Sequence, residues 1–280
     1  MSFSVIPLFH DDSADRGKSI LTWDLYKDPQ KDYIPGGPIP IMKLLKENDL
    51  KEVFFIATNF HSFAKAYKQC KEAGVILHFG LEFWITDDAA RLDEPSKANE
   101  SKVIVWMKDG SGYQDLIRVY EGYSTKPEYF YYHQRFDWKG LKSVWNNKTL
   151  ILSAPFFDSF LARNTLNYGA SIVPDLPDLG DGGKFILFKD LETHHPHEAL
   201  INYALNRYSK TNPETVEIVP SKNIYYLDET EMEAYITYRC IKNKSTFDKP
   251  ELPFMCSDRF SFKAWKELES TTSKISSQIS

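Results

Sequence analysis

The sequence predicts an α/β fold with much parallel sheet, built as a single domain. From residue 19 onward, short apolar runs alternate with helical patterns, which is typical of strands connected by helices. Seven of these apolar runs have the length of a strand, and seven strands are enough to close a barrel. The chain of 280 residues is 42% hydrophobic and 15% aromatic, which is enough apolar material for one large core.

The seven strand candidates share a high content of β-branched and aromatic residues. In chain order they are SILTWDL (19–25), EVFFIAT (52–58), VILHFGLEFWIT (75–86), KVIVWMK (102–108), TLILSAP (149–155), KFILFKD (184–190) and VEIVPSKNIYYL (216–227).

Helical patterns occupy most of the intervals between these strands. Pro38 and Pro40 stand at a helix start, where proline is tolerated, and Gly74 is a typical helix stop. Tyr235 is predicted to face inward from the last helix. The helix candidates are PIMKLLKEN (40–48), FAKAYKQCKEAG (63–74), GYQDLIRVYEGYS (112–124), SFLARNTLNYG (159–169), HEALINYALNRYS (197–209) and ETEMEAYITYRCIKN (229–243).

The predicted domain spans residues 19–269. Residues 1–18 are assigned to an N-terminal extension, and the polar stretch 270–280 to a disordered tail.

Composition excludes several classes of protein. No apolar run approaches the roughly 20 residues that span a bilayer, and the first residues lack the pattern of a signal peptide, so we expect a cytoplasmic protein without membrane contact. Three widely spaced cysteines, Cys70, Cys240 and Cys256, indicate reduced thiols that are inert when buried. The net charge of −5 argues against direct binding to nucleic acid.

Three segments, in the same order along the chain, carry a family resemblance. They are KVIVWMKDGSGYQDLIRVYEGYSTKPEYFYYHQRFD (102–137), KFILFKDLETHHPHEALINYALNRYSK (184–210) and the stretch 219–241. Together they resemble the PHP (polymerase and histidinol phosphatase) domain at the start of the alpha subunit of bacterial DNA polymerase III. The resemblance covers residues 19–269 and implies a distorted seven-stranded (β/α) barrel.

Active PHP domains hold up to three metal ions at the strand ends and hydrolyse phosphoesters, because the metals polarise the phosphoryl oxygens and activate water. The resemblance transfers this ligand pattern one position at a time. The D-G aspartate falls near Gly36, the T-D-H motif falls on Thr58, Asn59 and Phe60, and the D-x-H motif of the last strand falls on Asn223 and Tyr225. Only the glutamate of the G-x-E motif is kept, as Glu82. The vestigial positions are Thr22, Asp24, Asn59, Phe60, Glu82, Lys102, Pro155, Asn223 and Tyr225.

These replacements imply a site without catalytic residues, metal or other cofactor. One glutamate and one aspartate cannot hold a cluster of divalent ions. An ammonium at Lys102 opposes cation binding and is expected to pair with Glu82 or Asp24. We expect the vestigial positions to lie together at one mouth of the barrel.

A rearranged metal site remains open, because other ligand types are present. If the alignment to the T-D-H motif is shifted by one residue, His61 takes the position of the motif histidine. Otherwise His61 is interpreted as a surface or capping residue. His194, His195 and His197 are interpreted as solvent-facing, and Asp87 and Asp88 as the start of a turn. The alternative function is therefore a metal-dependent phosphoesterase or nuclease with a different ligand set.

The function that follows from a degenerate site is protein binding. The resemblance implies a scaffold or modulator in DNA replication, whose partner is a replisome protein such as the polymerase or the proofreading exonuclease. A short, divergent version of such a domain suggests a bacteriophage origin. The aromatic segment KPEYFYYHQRFDW (126–138) is either a contact patch or a packed loop.

Overall fold

The computed structural model describes residues 3–11, 21–23, 39–170, 179, 185–243, 246 and 257–279. Asp24, Gly36 and Cys256 lie outside these residues. By their packing, the residues fall into two compact units. Unit 1 comprises Met1–Phe79, Asp190–His195 and Pro220–Ser280, and unit 2 comprises Gly80–Lys189 and Pro196–Val219.

The strands of the described residues include several of only two residues. They are β1 (Ile6–Asp11), β2 (Leu21–Thr22), β3 (Ile39–Pro40), β4 (Glu52–Ala57), β5 (Ile76–Thr86), β6 (Ser101–Met107), β7 (Phe130–Tyr131), β8 (His133–Gln134), β9 (Phe136–Asp137), β10 (Leu150–Ala154), β11 (Phe185–Asp190) and β12 (Val216–Ile224).

The described residues also form nine α-helices, besides 3₁₀ turns at Pro127–Tyr129 and Glu229–Glu231. The helices are α1 (Ile41–Glu47), α2 (Phe63–Ala73), α3 (Glu94–Ala98), α4 (Gly112–Ser124), α5 (Trp138–Val144), α6 (Phe160–Tyr168), α7 (Glu198–Thr211), α8 (Met232–Asn243) and α9 (Phe262–Ile279).

The main sheet has the strand order β4-β1-β12-β11-β10-β6-β5-β9, and β4 also pairs with β5. The predicted α/β fold with a closed seven-strand barrel is thereby confirmed. The prediction of a largely parallel sheet holds only in part, since β6 runs antiparallel to both β5 and β10. Hydrophobic periodicity identifies a strand but does not give its direction.

One predicted strand does not join the main sheet. Of the run 19–25 the structure describes residues 21–23, and Leu21–Thr22 form β2, which pairs with β3 in a separate sheet. The main sheet instead uses β1, inside the segment assigned to an N-terminal extension, and β1 runs parallel to both β4 and β12. The apolar part of β1, residues 6–9, is short and precedes the polar run HDDSADRG, which is why periodicity overlooked it.

In unit 1, α9 is tied to the start of the chain. The carboxylate of Glu269 accepts the backbone N–H groups of Ser4 and Val5 at 3.0 and 2.7 Å, and the indole N–H of Trp265 donates to the carbonyl of Val5 at 2.8 Å. The helix runs through Ile279, whereas composition predicted a disordered tail from residue 270. Gly74 ends α2 in the left-handed conformation at φ 68°, as expected.

In unit 2, the strands β5, β6 and β10 form a close-packed layer. A Cβ on Gly80 would lie 2.8 Å from the side chains of Ile104 and Trp106, so only glycine allows this approach. The buried indole N–H of Trp106 donates to the hydroxyl of Ser153 on the neighbouring strand at 2.7 Å. This layer fixes the position of the side chains on β5 and β6 that are described next.

Candidate functional site

A lysine triad formed by Glu82, Lys102 and Asp158 lies in unit 2. Glu82 extends from β5, Lys102 from β6, and Asp158 follows β10. The ammonium of Lys102 lies 2.9 Å from Oε1 of Glu82 and 3.3 Å from Oδ2 of Asp158. The pairing of Lys102 with Glu82 that the sequence predicts is therefore present, and Asp158 is an additional partner.

The surroundings of the triad hold the ammonium in place. The side chain of Lys102 is 16% exposed and its Nζ lies 4.9 Å from the ring centre of Trp84, within the range of a cation–π contact. The backbone N–H of Lys102 donates to the carbonyl of Asp158 at 2.7 Å. Arg163 adds a longer ion pair with Asp158 at 3.8 Å. Two acidic side chains thus have their charge balanced by fixed cations of the protein.

A histidine chain formed by His10, Asn223 and Asp190 lies in unit 1, near the carboxyl ends of β1, β12 and β11. Nε2 of His10 lies 2.6 Å from Oδ1 of Asn223, which accepts its hydrogen bond. The amide of Asn223 donates to Oδ2 of Asp190 at 2.6 Å, and its backbone N–H donates to Oδ1 at 3.2 Å. Both ends of the Asn223 amide are therefore satisfied within the protein.

The charge of Asp190 is balanced by another buried lysine. Lys222 and Asp190 have fully buried side chains, with Nζ 3.9 Å from Oδ1 of the carboxylate. The ammonium also donates to the carbonyls of Leu191 and Glu192 at 2.6 and 3.1 Å. A cation of the protein again stands beside a buried acid.

Aromatic rings pack around the remaining vestigial positions of unit 1. The ring centre of Tyr225 lies 4.7 Å from that of His10 and 4.9 Å from that of Tyr235, and Tyr235 is buried as predicted. Phe60 stacks on Phe79 with ring centres 5.9 Å apart. Phenyl and phenol rings at these positions fill space and offer no strong metal ligand.

The vestigial positions are distributed over both units. Thr22, Asn59, Phe60, Asn223 and Tyr225 belong to unit 1, while Glu82, Lys102 and Pro155 belong to unit 2. Asp24 lies outside the described residues. Their assembly at one barrel mouth stays a prediction.

Sequence reasoning missed three residues of these clusters: His10, Asp158 and Asp190. His10 was overlooked together with β1, although a histidine followed by two aspartates after an apolar run is a usable signal of a strand end. No local pattern singles out Asp158, which follows a predicted strand, or Asp190, which is the last residue of another.

The alternative metal ligands are placed individually. His61 is exposed, and its backbone N–H donates to the side chain of Asn59 at 2.8 Å, as in a turn. His194 and His197 are exposed, but His195 is 7% exposed, so its assignment to the solvent is wrong. The reason is that its loop is held inward: Lys222 binds carbonyls at 191 and 192, and Ser257 donates to the carbonyl of Thr193 at 2.6 Å.

Two further expectations are confirmed. Asp88 opens a turn by accepting the N–H of Ala90 at 3.0 Å. Cys70 is buried, and burial raises the pKa of its thiol to about 12, so that it stays protonated and unreactive at neutral pH.

The residues present do not fit a PHP-type metal cluster. The carboxylates of the lysine triad already bind an ammonium, and the imidazole of His10 donates to an amide instead of offering a lone pair through that nitrogen. Within the described part of the chain, no three His, Cys, Asp or Glu side chains come together as a metal would require.

Comparison with known proteins gives a match to one family over part of the chain. The family model of the PHP domain matches residues 38–168, which include α1 to α6 and the lysine triad. No curated protein matches the chain. Among the described residues, no helix is long and apolar enough to cross a membrane. Residues 38–168 therefore match the PHP domain that the order of the sequence motifs predicted.

Proposed function

We propose that this protein is a catalytically inactive PHP-type protein that works through protein contacts. The observation that carries the proposal is the lysine triad, in which the ammonium of Lys102 binds Glu82 and Asp158 at 2.9 and 3.3 Å. A divalent ion at these carboxylates would have to displace a partly buried cation or approach a like charge. At about 4 Å and an effective dielectric constant near 20, like unit charges repel by about 4 kcal/mol per elementary charge.

The proposed setting is DNA replication in the cytoplasm, with the protein acting as a scaffold or modulator. Its partner is a replisome protein such as the polymerase or the proofreading exonuclease, and its origin is a bacteriophage genome. What supports this setting is the resemblance of three ordered motifs to the alpha subunit of bacterial DNA polymerase III, together with the PHP domain match at residues 38–168.

Metal analysis of protein purified without chelator tests the inactivity. We expect less than stoichiometric Zn, Mn and Fe, and no hydrolysis of p-nitrophenyl phosphate or of a single-stranded oligonucleotide when Mn²⁺ is added. A bound metal in stoichiometric amount, with hydrolysis that is lost in Glu82→Gln, would contradict the proposal.

The second candidate function is a metal-dependent phosphoesterase or nuclease with a rearranged ligand set. The observation that favours it is the histidine chain, which brings an imidazole and a buried carboxylate to either side of Asn223. In that case His10→Gln and Asp190→Asn would each abolish metal-dependent hydrolysis, whereas Glu82→Gln would leave it unchanged. Metal-dependent hydrolysis that is lost in the unit 1 variants but kept in Glu82→Gln would therefore favour the second candidate function.

A further inference from the structure

Residues 126–138, which the sequence identifies as either a contact patch or a packed loop, contain a short hairpin in unit 2. We call residues 130–134 the aromatic hairpin: β7 pairs antiparallel with β8, with Phe130 opposite Gln134 and Tyr131 opposite His133. Tyr132 forms the turn. Phe130 and Tyr132 are 54% and 65% exposed, so the tip of this segment is not a packed loop.

The base of the aromatic hairpin is firmly anchored. The guanidinium of the fully buried Arg135 donates to the hydroxyl of Ser96 at 3.0 Å and to the carboxylate of Glu100 at 3.1 Å. It also donates to the carbonyls of Ala89 and Arg91 at 3.0 and 2.8 Å. A rigid base keeps exposed rings in one orientation, which lowers the entropic cost of binding a partner.

The hairpin holds its most exposed ring in an unusual backbone conformation. Tyr132 has φ 62°, a region that bulky residues rarely adopt. Glycine or asparagine would fit this turn with less strain, and neither would present a ring. Such backbone conformations persist where the surrounding structure enforces them, and they cluster at functional sites.

The charges around the rings define the partner. The ammonium of Lys97 lies 4.1 Å from the ring centre of Tyr132, and that of Lys126 lies 4.7 Å from that of Tyr129. Within the described residues neither ammonium forms an ion pair with a carboxylate. The carboxylate of Glu94 accepts the hydroxyl hydrogen bond of Tyr131 at 3.0 Å and forms no ion pair with either of these two lysines.

One ammonium beside the exposed ring of Tyr132 and another beside the half-buried ring of Tyr129 complement a carboxylate next to an apolar side chain. A nucleic-acid backbone carries a negative charge on every phosphate, so the exposed Glu128 of the same segment and the net charge of −5 disfavour it more strongly than they disfavour a single carboxylate. Tyrosine is among the residues that most often dominate binding energy at protein interfaces.

We propose that the aromatic hairpin is a docking surface for an acidic protein segment in which an aromatic or branched aliphatic side chain stands beside Asp or Glu. This inference rests on the proposed function as a protein-binding scaffold, for which it specifies the surface and the chemistry of the partner.

Selection from a displayed library of random twelve-residue peptides tests the proposal directly. The full chain is immobilised, and selected peptides are synthesised and their Kd values measured with the wild type and with the double variant Phe130→Ser/Tyr132→Ser. We expect sequences rich in Asp or Glu beside Phe, Trp, Leu or Ile. Their affinity should fall at least about tenfold in the double variant and in Lys97→Glu, since central rings and charges dominate such interfaces.

Matched controls are available in the same unit. Tyr203→Ser removes an exposed ring of α7, and Lys139→Glu reverses an exposed charge of α5. Both should leave the affinity within about twofold, since substitutions outside a contact rarely change binding. The urea midpoint of each variant shows that it is folded.

Three results would overturn the docking surface. The first is a selection without acidic and apolar consensus, and the second is a set of peptides that bind the double variant as well as the wild type. The third is a fluorescent single-stranded oligonucleotide that binds the wild type more tightly than the selected peptides do and no longer binds the double variant. None of these results depends on metal content or hydrolysis, so failure of this proposal is distinguishable from failure of the proposed inactivity.

Discussion

The lysine triad and the histidine chain show two different ways in which acidic side chains exist without a metal. In the triad, a cation of the protein takes the place of a divalent ion between Glu82 and Asp158. In the histidine chain, a neutral amide stands at the position where the resemblance implies a carboxylate, so that Asn223 joins His10 to Asp190 through hydrogen bonds. The triad balances two acids with Lys102, whereas the histidine chain keeps one acid, Asp190, beside Lys222 and has a neutral amide in place of a second acid.

This difference predicts that the stability of the two clusters responds in opposite ways to the presence of a charge. The triad should depend on the presence of its positive charge, because two acidic groups share it. The histidine chain should depend on the neutrality of Asn223, because a carboxylate at this position would repel the carboxylate of Asp190. Four substitutions follow, from the largest expected effect to the smallest.

Replacing Lys102 by methionine is expected to have the largest effect. The variant keeps the length of the side chain but leaves two partly buried carboxylates unpaired, which should lower the free energy of unfolding by about 3 kcal/mol at pH 7. Urea denaturation measures this loss. The exposed Lys139→Met is the control and should change stability by less than about 0.5 kcal/mol. An unchanged Lys102→Met variant would show that the triad balances no charge.

The exchange Asn223→Asp restores the family residue and should destabilise by about 2 kcal/mol at neutral pH. The new carboxylate would lie beside Oδ2 of Asp190, so its pKa would be raised in the folded state. The penalty is therefore absent below the unfolded pKa of about 3.9 and grows as the pH rises through the folded pKa. Unfolding in urea at pH 4.5 and 7.5 measures the difference.

Asn59→Asp is the matched control for this exchange, since the carboxylate can still accept the N–H of His61 in its turn. Its stability should change little at either pH. If Asn223→Asp were as stable at pH 7.5 as at pH 4.5, the histidine chain would not require a neutral residue, and the contrast with the triad would disappear.

Asp115 provides a reference in which a buried carboxylate is held mainly by neutral donors. The hydroxyl of Thr149 and then the amide of Asn146 and the guanidinium of Arg118 lower its pKa, against the opposing effect of burial. Because the folded pKa is depressed, this stabilisation is present above about pH 3.9 and is lost as the pH falls through the folded pKa.

Asp115→Asn should therefore flatten the acid side of the stability profile by about 1 kcal/mol, measured by urea unfolding between pH 6 and 3. The exposed Asp87→Asn serves as control and should reproduce the wild-type profile. A profile of Asp115→Asn with the wild-type slope would mean that neutral donors do not stabilise this carboxylate.

Arg163→Gln should have the smallest effect. The guanidinium lies 3.8 Å from Asp158 and is a third exposed, so its ion pair is screened by water. We expect a change within about 0.5 kcal/mol in urea denaturation. A loss as large as that of Lys102→Met would extend the triad to a network of four charges.

Much of the fold was predictable, because β4 to β6 and β10 to β12 coincide with runs that are rich in apolar, β-branched and aromatic residues. The pairing of Lys102 with Glu82 was predictable through the family motif. Asp158 was not, because its approach to Lys102 depends on the geometry of the turn after β10. The amide at Asn223 was visible in the sequence, but its partners come from positions 10 and 190, and no local pattern connects them.

The early strand β1 limits how the protein can be shortened for experiments. It lies between β4 and β12 and bonds to both. A fragment that starts at residue 19 would remove this strand and leave two unpaired edges, which are templates for aggregation. Recombinant fragments that are intended to isolate the PHP domain should therefore retain the first residues, even though the family match begins only at residue 38.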